Sequence, residues 1–155
     1  MSKTFLFWRR TDIEGLERLE LEVRPDCVTT ASTVICLESG GFRLEHRWLL
    51  SPDWRAQSVQ VERWNAGGGQ KLLLERDGAG WRVDGAHRPD LDGAQEPDLS
   101  VTPFCNTFPI LRTPGDPGAS LSLETAFIDG AAVPPKCPAQ RKAPTCPVEP
   151  LSRPR

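Results

Sequence analysis

The residues best suited to chemistry are concentrated between Asp98 and Arg112, in the run Asp-Leu-Ser-Val-Thr-Pro-Phe-Cys-Asn-Thr-Phe-Pro-Ile-Leu-Arg. Thr102 ahead of Pro103 is a helix-start signal, because Thr can cap free backbone N–H groups and Pro tolerates the first helical position. Pro109 lacks an N–H and restricts the residue before it, which predicts that the helix stops after one or two turns over Pro103–Phe108. Phe104 and Phe108, four apart, fall on one face of such a helix. The Asn106 amide can lock neighbouring strand ends or bind a ligand hydroxyl. Asp98 and Arg112 bracket the run. They can pair with each other, or the planar guanidinium of Arg112 can meet an anionic head group. Cys105 is either a reactive thiol at a helix start or a small buried apolar residue.

Elsewhere the polar chemistry is sparse. His46 lies on the apolar side of an alternating strand with no nucleophile or second base at a matching motif, and His87 lies in a polar loop. No HExxH, GxSxG or GxGxxG-after-strand pattern occurs. The five cysteines form no CxxC pair, so neither a zinc site nor a disulfide framework is indicated. No catalytic residue, metal or cofactor is therefore assigned. A net charge of −2 gives no single-signed field for nucleic acid or an anionic membrane. No run approaches the roughly 20 apolar residues of a membrane span. The N-terminal stretch lacks the apolar core of a secretory signal, which places the chain in the cytoplasm with reduced thiols.

The surrounding elements read as strands. Thr4–Arg10 alternates with Phe5 and Phe7 on one face and Leu6 and Trp8 on the other, which predicts cover on both faces. In Leu16–Arg24, Leu19, Leu21 and Val23 oppose Arg18, Glu20, Glu22 and Arg24. Cys27–Leu37 is rich in β-branched residues. In Phe42–Leu50, Phe42, Leu44, His46, Trp48 and Leu50 share one face. Trp54–Trp64, Lys71–Arg76, Trp81–Val83 and Leu121–Ile128 follow, with Asn65–Gly69 and Asp84–Pro97 read as loops. The 15 Pro and 13 Gly favour many turns. About eight regularly spaced strands with one short helix predict an all-β domain over residues 1–130, a curled antiparallel sheet in the form of a roll or open barrel. Residues 131–155 are Pro-rich and poor in large apolar side chains, which predicts a loose tail, partly ordered at most.

Trp8-Arg9, Gly15-Leu16-Glu17, Asp53-Trp54-Arg55, Asp77-Gly78 and Gly80-Trp81 occur in this order, followed by Asp98-Leu99, Thr102-Pro103-Phe104, Asn106-Thr107 and Pro109-Ile110. The combination resembles a small bacterial family of putative glycolipid-binding proteins, over roughly residues 5 to 130. Cys105 stands where that family usually has Thr, Leu111 where it usually has Arg, and Gln140-Arg141-Lys142 lacks its closing aromatic. The resemblance implies a many-stranded curled sheet similar to periplasmic lipoprotein carriers, with a lipid or glycolipid in the concave face and no enzymatic activity. Under that reading the apolar part of the ligand lies against Phe42, Leu44, Trp48 and Phe104, with Trp54 at a strand start, and the polar head meets Arg55, Asn106 and Arg112. Two other classes stay open: a hydrolase of a lipid or sugar ester using His46, Asp98 or Glu96, and an interaction module using a sheet edge and the Pro-rich tail.

Overall fold

The computed structural model describes residues 2–112, 122–132 and 139–142. Eight antiparallel strands follow one another in simple meander order: β1 (Ser2–Arg9), β2 (Gly15–Val23), β3 (Val28–Cys36), β4 (Phe42–Leu50), β5 (Ala56–Asn65), β6 (Gly68–Asp77), β7 (Gly80–Val83) and β8 (Ala86–His87). The sheet is curled and does not close, since β1 and β8 are both edges. A second sheet holds β9 (Glu96–Leu99), β10 (Leu123–Ile128) and β11 (Ala139–Lys142), with β10 in the middle. β9 runs parallel to β10, and β11 antiparallel. A 3₁₀ turn at Phe104–Asn106 leads directly into α1 (Thr107–Arg112).

Strict alternation produces this arrangement. Leu19 in β2, Val28, Val34 and Cys36 in β3, Phe42, Leu44, Trp48 and Leu50 in β4, and Val59 and Val61 in β5 all point inward and are at most 5% exposed. The charged residues between them face outward, as period-two geometry requires. They meet in cross-strand pairs such as Lys3–Glu20 and Lys71–Glu62 and in same-strand pairs such as Arg43–Glu45. Exposed pairs of this kind are screened by solvent and serve mainly solubility. The inner face is covered by Leu99, Val101, Phe104, Phe108, Ala126 and Ile128, all 5% exposed or less. Gly130 sits where the layers meet: a Cβ there would come within 3.0 Å of Val101 and 3.1 Å of Leu44.

Several expectations need correction. The helix runs through Pro109 rather than stopping before it. Pro109 is the third residue of α1, inside the first turn, where a missing N–H breaks no intrahelical bond. β1 is covered on one face only: Leu6 and Trp8 pack against the core, whereas Phe5 and Phe7 are 47% and 70% exposed. Gly68 and Gly69 belong to β6, not to a loop, and Glu96–Leu99 is a strand whose burial hides any alternation. Within the expected tail, Ala139–Lys142 pairs with β10; residues 133–138 and 143–155 lie outside the described residues, as does the loop expected at 114–118.

Candidate functional site

Glu17 is the unexpected residue. Its position in β2 belongs to the inward-facing set with Gly15 and Leu19, so the alternation carries a carboxylate into the core. One and two strands away, the register brings Ser32 of β3 and His46 of β4 onto one inward row. The Oε1 atom of Glu17 accepts three hydrogen bonds: from Ser32 Oγ at 2.6 Å, from His46 Nε2 at 2.8 Å and from Thr102 Oγ1 at 2.9 Å. Thr102 in turn accepts from the Phe104 N–H at 3.1 Å, the local cap expected from Thr ahead of Pro. The Trp48 indole N–H donates to His46 Nδ1 at 2.9 Å. An indole nitrogen can only donate, so Nδ1 is the unprotonated nitrogen and Nε2 carries the hydrogen that points at Glu17. Both ring nitrogens are thus used within the fold. Glu17 Oε2 is different: it is sealed from bulk water and has no hydrogen-bond partner among the described residues.

Glu17 is also part of the wall of a cleft of about 320 Å³ at the end of the concave face, beside the β1–β2 turn. Trp8, Leu16, Val34, Val101 and Pro103 supply an apolar lining, and Arg9, Arg10, Thr11 and Asp12 a polar one. The arginines are held in place. Arg9 donates to Glu14 at 3.0 Å, and Arg10 grips Asp12 at 2.7 and 3.1 Å and Glu38 at 2.8 Å. The hydrogen bonds from Arg10, with help from backbone N–H groups, hold the Asp12 carboxyl down to about 2. The Arg10 guanidinium is raised, first by Asp12 and, against some desolvation, by Glu38. A carboxylate with a lowered folded value contributes stability above its ordinary value of 3.8 and loses it as the pH falls toward 2. Carbonyl-detected NMR titration is expected to find Asp12 titrating near 2, and shifted up toward the ordinary value in Arg10→Gln. An unchanged Asp12 midpoint in the variant would remove Arg10 as the cause.

The residues expected at a ligand site fall into three places. Phe42, Leu44, Trp48 and Phe104 come together, but as core side chains between 0% and 5% exposed. Trp48, Phe104 and Phe108 form an aromatic cluster with centroids 5.1 to 6.0 Å apart, in edge-on geometry. Trp54 is half-buried at the turn before β5, with a left-handed φ of 61° that a non-glycine residue adopts only when its surroundings impose it. The imposing contacts are local: Trp54 N–H to Ser51 O at 2.9 Å, Arg55 N–H to Ser51 Oγ at 3.2 Å and Arg55 Nε to Asp53 at 2.9 Å. Arg55 is therefore engaged with its neighbour Asp53. Asn106 is exposed, at the rim of a cleft of about 30 Å³ shared with Asp98, Cys105 and Thr125.

The expected Asp98–Arg112 pair does not form. Arg112 reaches Glu96, whose other oxygen accepts the Ala56 N–H at 3.1 Å and lies 3.8 Å from Arg76. Asp98 accepts instead from the Cys105 thiol at 3.0 Å. β9 places Glu96 and Asp98 two residues apart, so the partners are set by which carboxylate the start of β5 and the end of α1 approach. Burial pushes the Arg76 guanidinium below its ordinary value, with Glu96 opposing. Arg63, 2% exposed, donates to Gly130 O at 3.1 Å and lies over the Phe42 ring at 4.5 Å. Glu17, Ser32, Thr102 and Arg63 were not singled out as site residues from sequence. The signal was present for Glu17 alone, as the acidic residue on the Leu19–Leu21 side of its strand. Among the described residues, no group of His, Cys, Asp and Glu could hold a metal ion, and no helix is long and apolar enough to cross a membrane.

Comparison with known proteins agrees with the fold. A crystal structure of a DUF1089 family protein from Pseudomonas aeruginosa superposes with a TM-score of 0.68 at 27% identity, covering 86% of this chain and 72% of that one. No curated protein matches. A family described as "Putative glycolipid-binding" matches residues 5–141, which takes in both sheets, the Glu17 cleft and α1. The chain belongs to that family.

Proposed function

We propose that the protein binds an amphiphile of the lipid or glycolipid class without turning it over, and that it does so at the end of the concave face rather than in its middle. The observation that carries this reading is the two-sided lining of the 320 Å³ cleft, apolar from Trp8 to Pro103 and polar from Arg9 to Glu17. Its size falls at the lower end of the range typical of ligand clefts, about 300–1,000 Å³. Leu16 in the cleft wall is 62% exposed and stands beside Ile35, itself 59% exposed, on the outer face of the sheet. Apolar surface thus continues outward from the cleft, where acyl chains can lie at about 0.8 kcal/mol per buried CH₂. The middle of the concave face is filled by Phe104 and Phe108, and a ligand there must displace them.

Binding is favoured over hydrolysis because the candidate acid–base groups are occupied. His46 uses both ring nitrogens, Glu96 holds Ala56 and Arg112, and Asp98 holds Cys105. Native mass spectrometry of gently purified protein, with and without added bacterial lipid extract, tests the reading. The expected result is a lipid-sized adduct that Trp8→Ala weakens. A ligand-free mass in every preparation, with no gain from the extract, would overturn it.

A further inference from the structure

Resting on that reading, we infer that the outer corner of the sheet beside the cleft is a docking face for a zwitterionic lipid surface, which the protein touches reversibly. The four most exposed large apolar side chains among the described residues lie together there. They are Phe7 near the end of β1, Leu16 at the start of β2, Ile35 at the end of β3 and Leu37 just beyond it, each 59% to 70% exposed. Leu16 stands directly opposite Ile35. Phe7 lies diagonal to Leu16, because its own partner is Arg18, two residues on. The Leu37 N–H donates to Glu14 O at 2.9 Å, so pairing runs one residue past β3 and Leu37 continues the outward row of Ile35. The same period puts Arg43, Glu45 and Arg47 outward in β4, so the apolar concentration is a property of this corner and not of the whole outer face.

Size, charge and continuity select lipid as the occupant. The exposed parts of the four side chains come to on the order of 500 Å², the size of the largest and often functional patch on a monomer, and short of the about 800 Å² per partner that a stable protein interface buries. The arginines around the corner each face an acid of their own: Arg9 has Glu14 at 3.0 Å, Arg18 has Glu20 at 3.6 Å and Arg43 has Glu45 at 3.8 Å. No cation of the corner is left over to draw an anionic leaflet, which fits a surface without net charge. Leu16 belongs both to this face and to the lining of the cleft, so apolar surface is continuous between the two. Apolar contact of this extent without electrostatic help gives weak, reversible attachment, comparable with a single acyl anchor at about 10⁴ M⁻¹. A carrier that must leave the surface again needs attachment of that strength.

The test is flotation of the full chain with phosphatidylcholine vesicles. The wild-type protein is expected to float with a partition constant on the order of 10⁴ M⁻¹, and to change by less than about three-fold when about a third of the lipid is replaced by phosphatidylglycerol. Phe7→Glu and Leu37→Glu are each expected to weaken flotation about ten-fold or more, since each removes apolar contact and carries a charge into the interface. Leu111→Glu, at a similarly exposed position on α1 but away from the corner, is expected to leave flotation unchanged. Circular dichroism checks that the variants fold; should Phe7→Glu not fold, Leu37→Glu decides. No flotation of the wild type, flotation only with anionic vesicles, or equal weakening by Leu111→Glu overturns the inference. A lipid-free dimer in sedimentation equilibrium that Phe7→Glu dissociates assigns the face to a second copy and also overturns it. A lipid adduct in native mass spectrometry without flotation overturns the docking face and leaves the cleft reading standing. Flotation that Phe7→Glu abolishes, with no adduct in any preparation, supports the docking face and overturns the cleft reading.

Discussion

Phe108→Ala is expected to lower the unfolding free energy by about 3–5 kcal/mol, read from the urea midpoint at constant slope. Phe108 is fully buried and faces Trp48 at 5.2 Å and Phe104 at 5.1 Å, both in edge-on contact. Removing it forfeits the transfer of a whole ring and two aromatic pair terms of about 0.5–1.5 kcal/mol each. The space cannot readily collapse. Trp48 is anchored by its hydrogen bond to His46, and Phe104 is held by its N–H to Thr102. Against a typical domain stability of about 5–15 kcal/mol, the loss is a large fraction of the total. Leu111→Ala on the same helix is the control: Leu111 is 56% exposed, and surface changes of this kind stay within about 0.5 kcal/mol. A loss below about 1 kcal/mol for Phe108→Ala would mean that α1 is not packed onto the sheet, and would reopen the middle of the concave face to a ligand.

His46→Leu is expected to cost about 2–6 kcal/mol, about 1–3 kcal/mol for each of two stranded groups, although Leu fits the apolar half of the site. The substitution strands two buried groups at once. The Trp48 indole N–H loses its acceptor and Glu17 Oε1 loses one of three donors. The second loss weighs more, because a buried carboxylate depends on its donors to offset desolvation. This gives a directional check by double-mutant cycle. Adding Glu17→Gln to His46→Leu should recover part of the loss, since a neutral amide is cheaper to leave underpaired. The coupling between the two sites is expected to be about 0.5–3 kcal/mol. Additivity within about 0.3–0.5 kcal/mol would show that the two side chains do not act as a unit. The same network explains why His46 is a poor candidate base: freeing either nitrogen breaks a buried hydrogen bond.

The positions and inward faces of the main strands were legible from sequence because each has one buried face. The alternation in Phe42–Leu50 marks its inward residues without ambiguity, and the charged residues of β2 do the same. Turn residues at Pro25-Asp26, Ser39-Gly40-Gly41 and Asp77-Gly78 mark where the chain reverses; that consecutive strands pair as neighbours in one meander is decided by the tertiary structure. The Asp98–Arg112 run was legible as a short helical connection, down to the shared face of Phe104 and Phe108. Family membership followed from the order of its motifs.

What the sequence could not determine was the second layer and the partners within the core. β9 shows no alternation because all four of its residues are buried, and it pairs with β10 across a long gap in the chain. Whether Arg112 meets Asp98 or Glu96 depends on how α1 sits over β9, a property of packing alone. The same holds for Glu17. Its inward position can be counted along the strand, but nothing local says that Ser32 from β3, His46 from β4 and Thr102 from the connection converge on one of its oxygens. Local pattern decides which face a residue takes, because that depends on its own strand's period. Only the tertiary structure brings residues 85 positions apart within hydrogen-bond distance and leaves the second oxygen of Glu17 buried without a partner among the described residues.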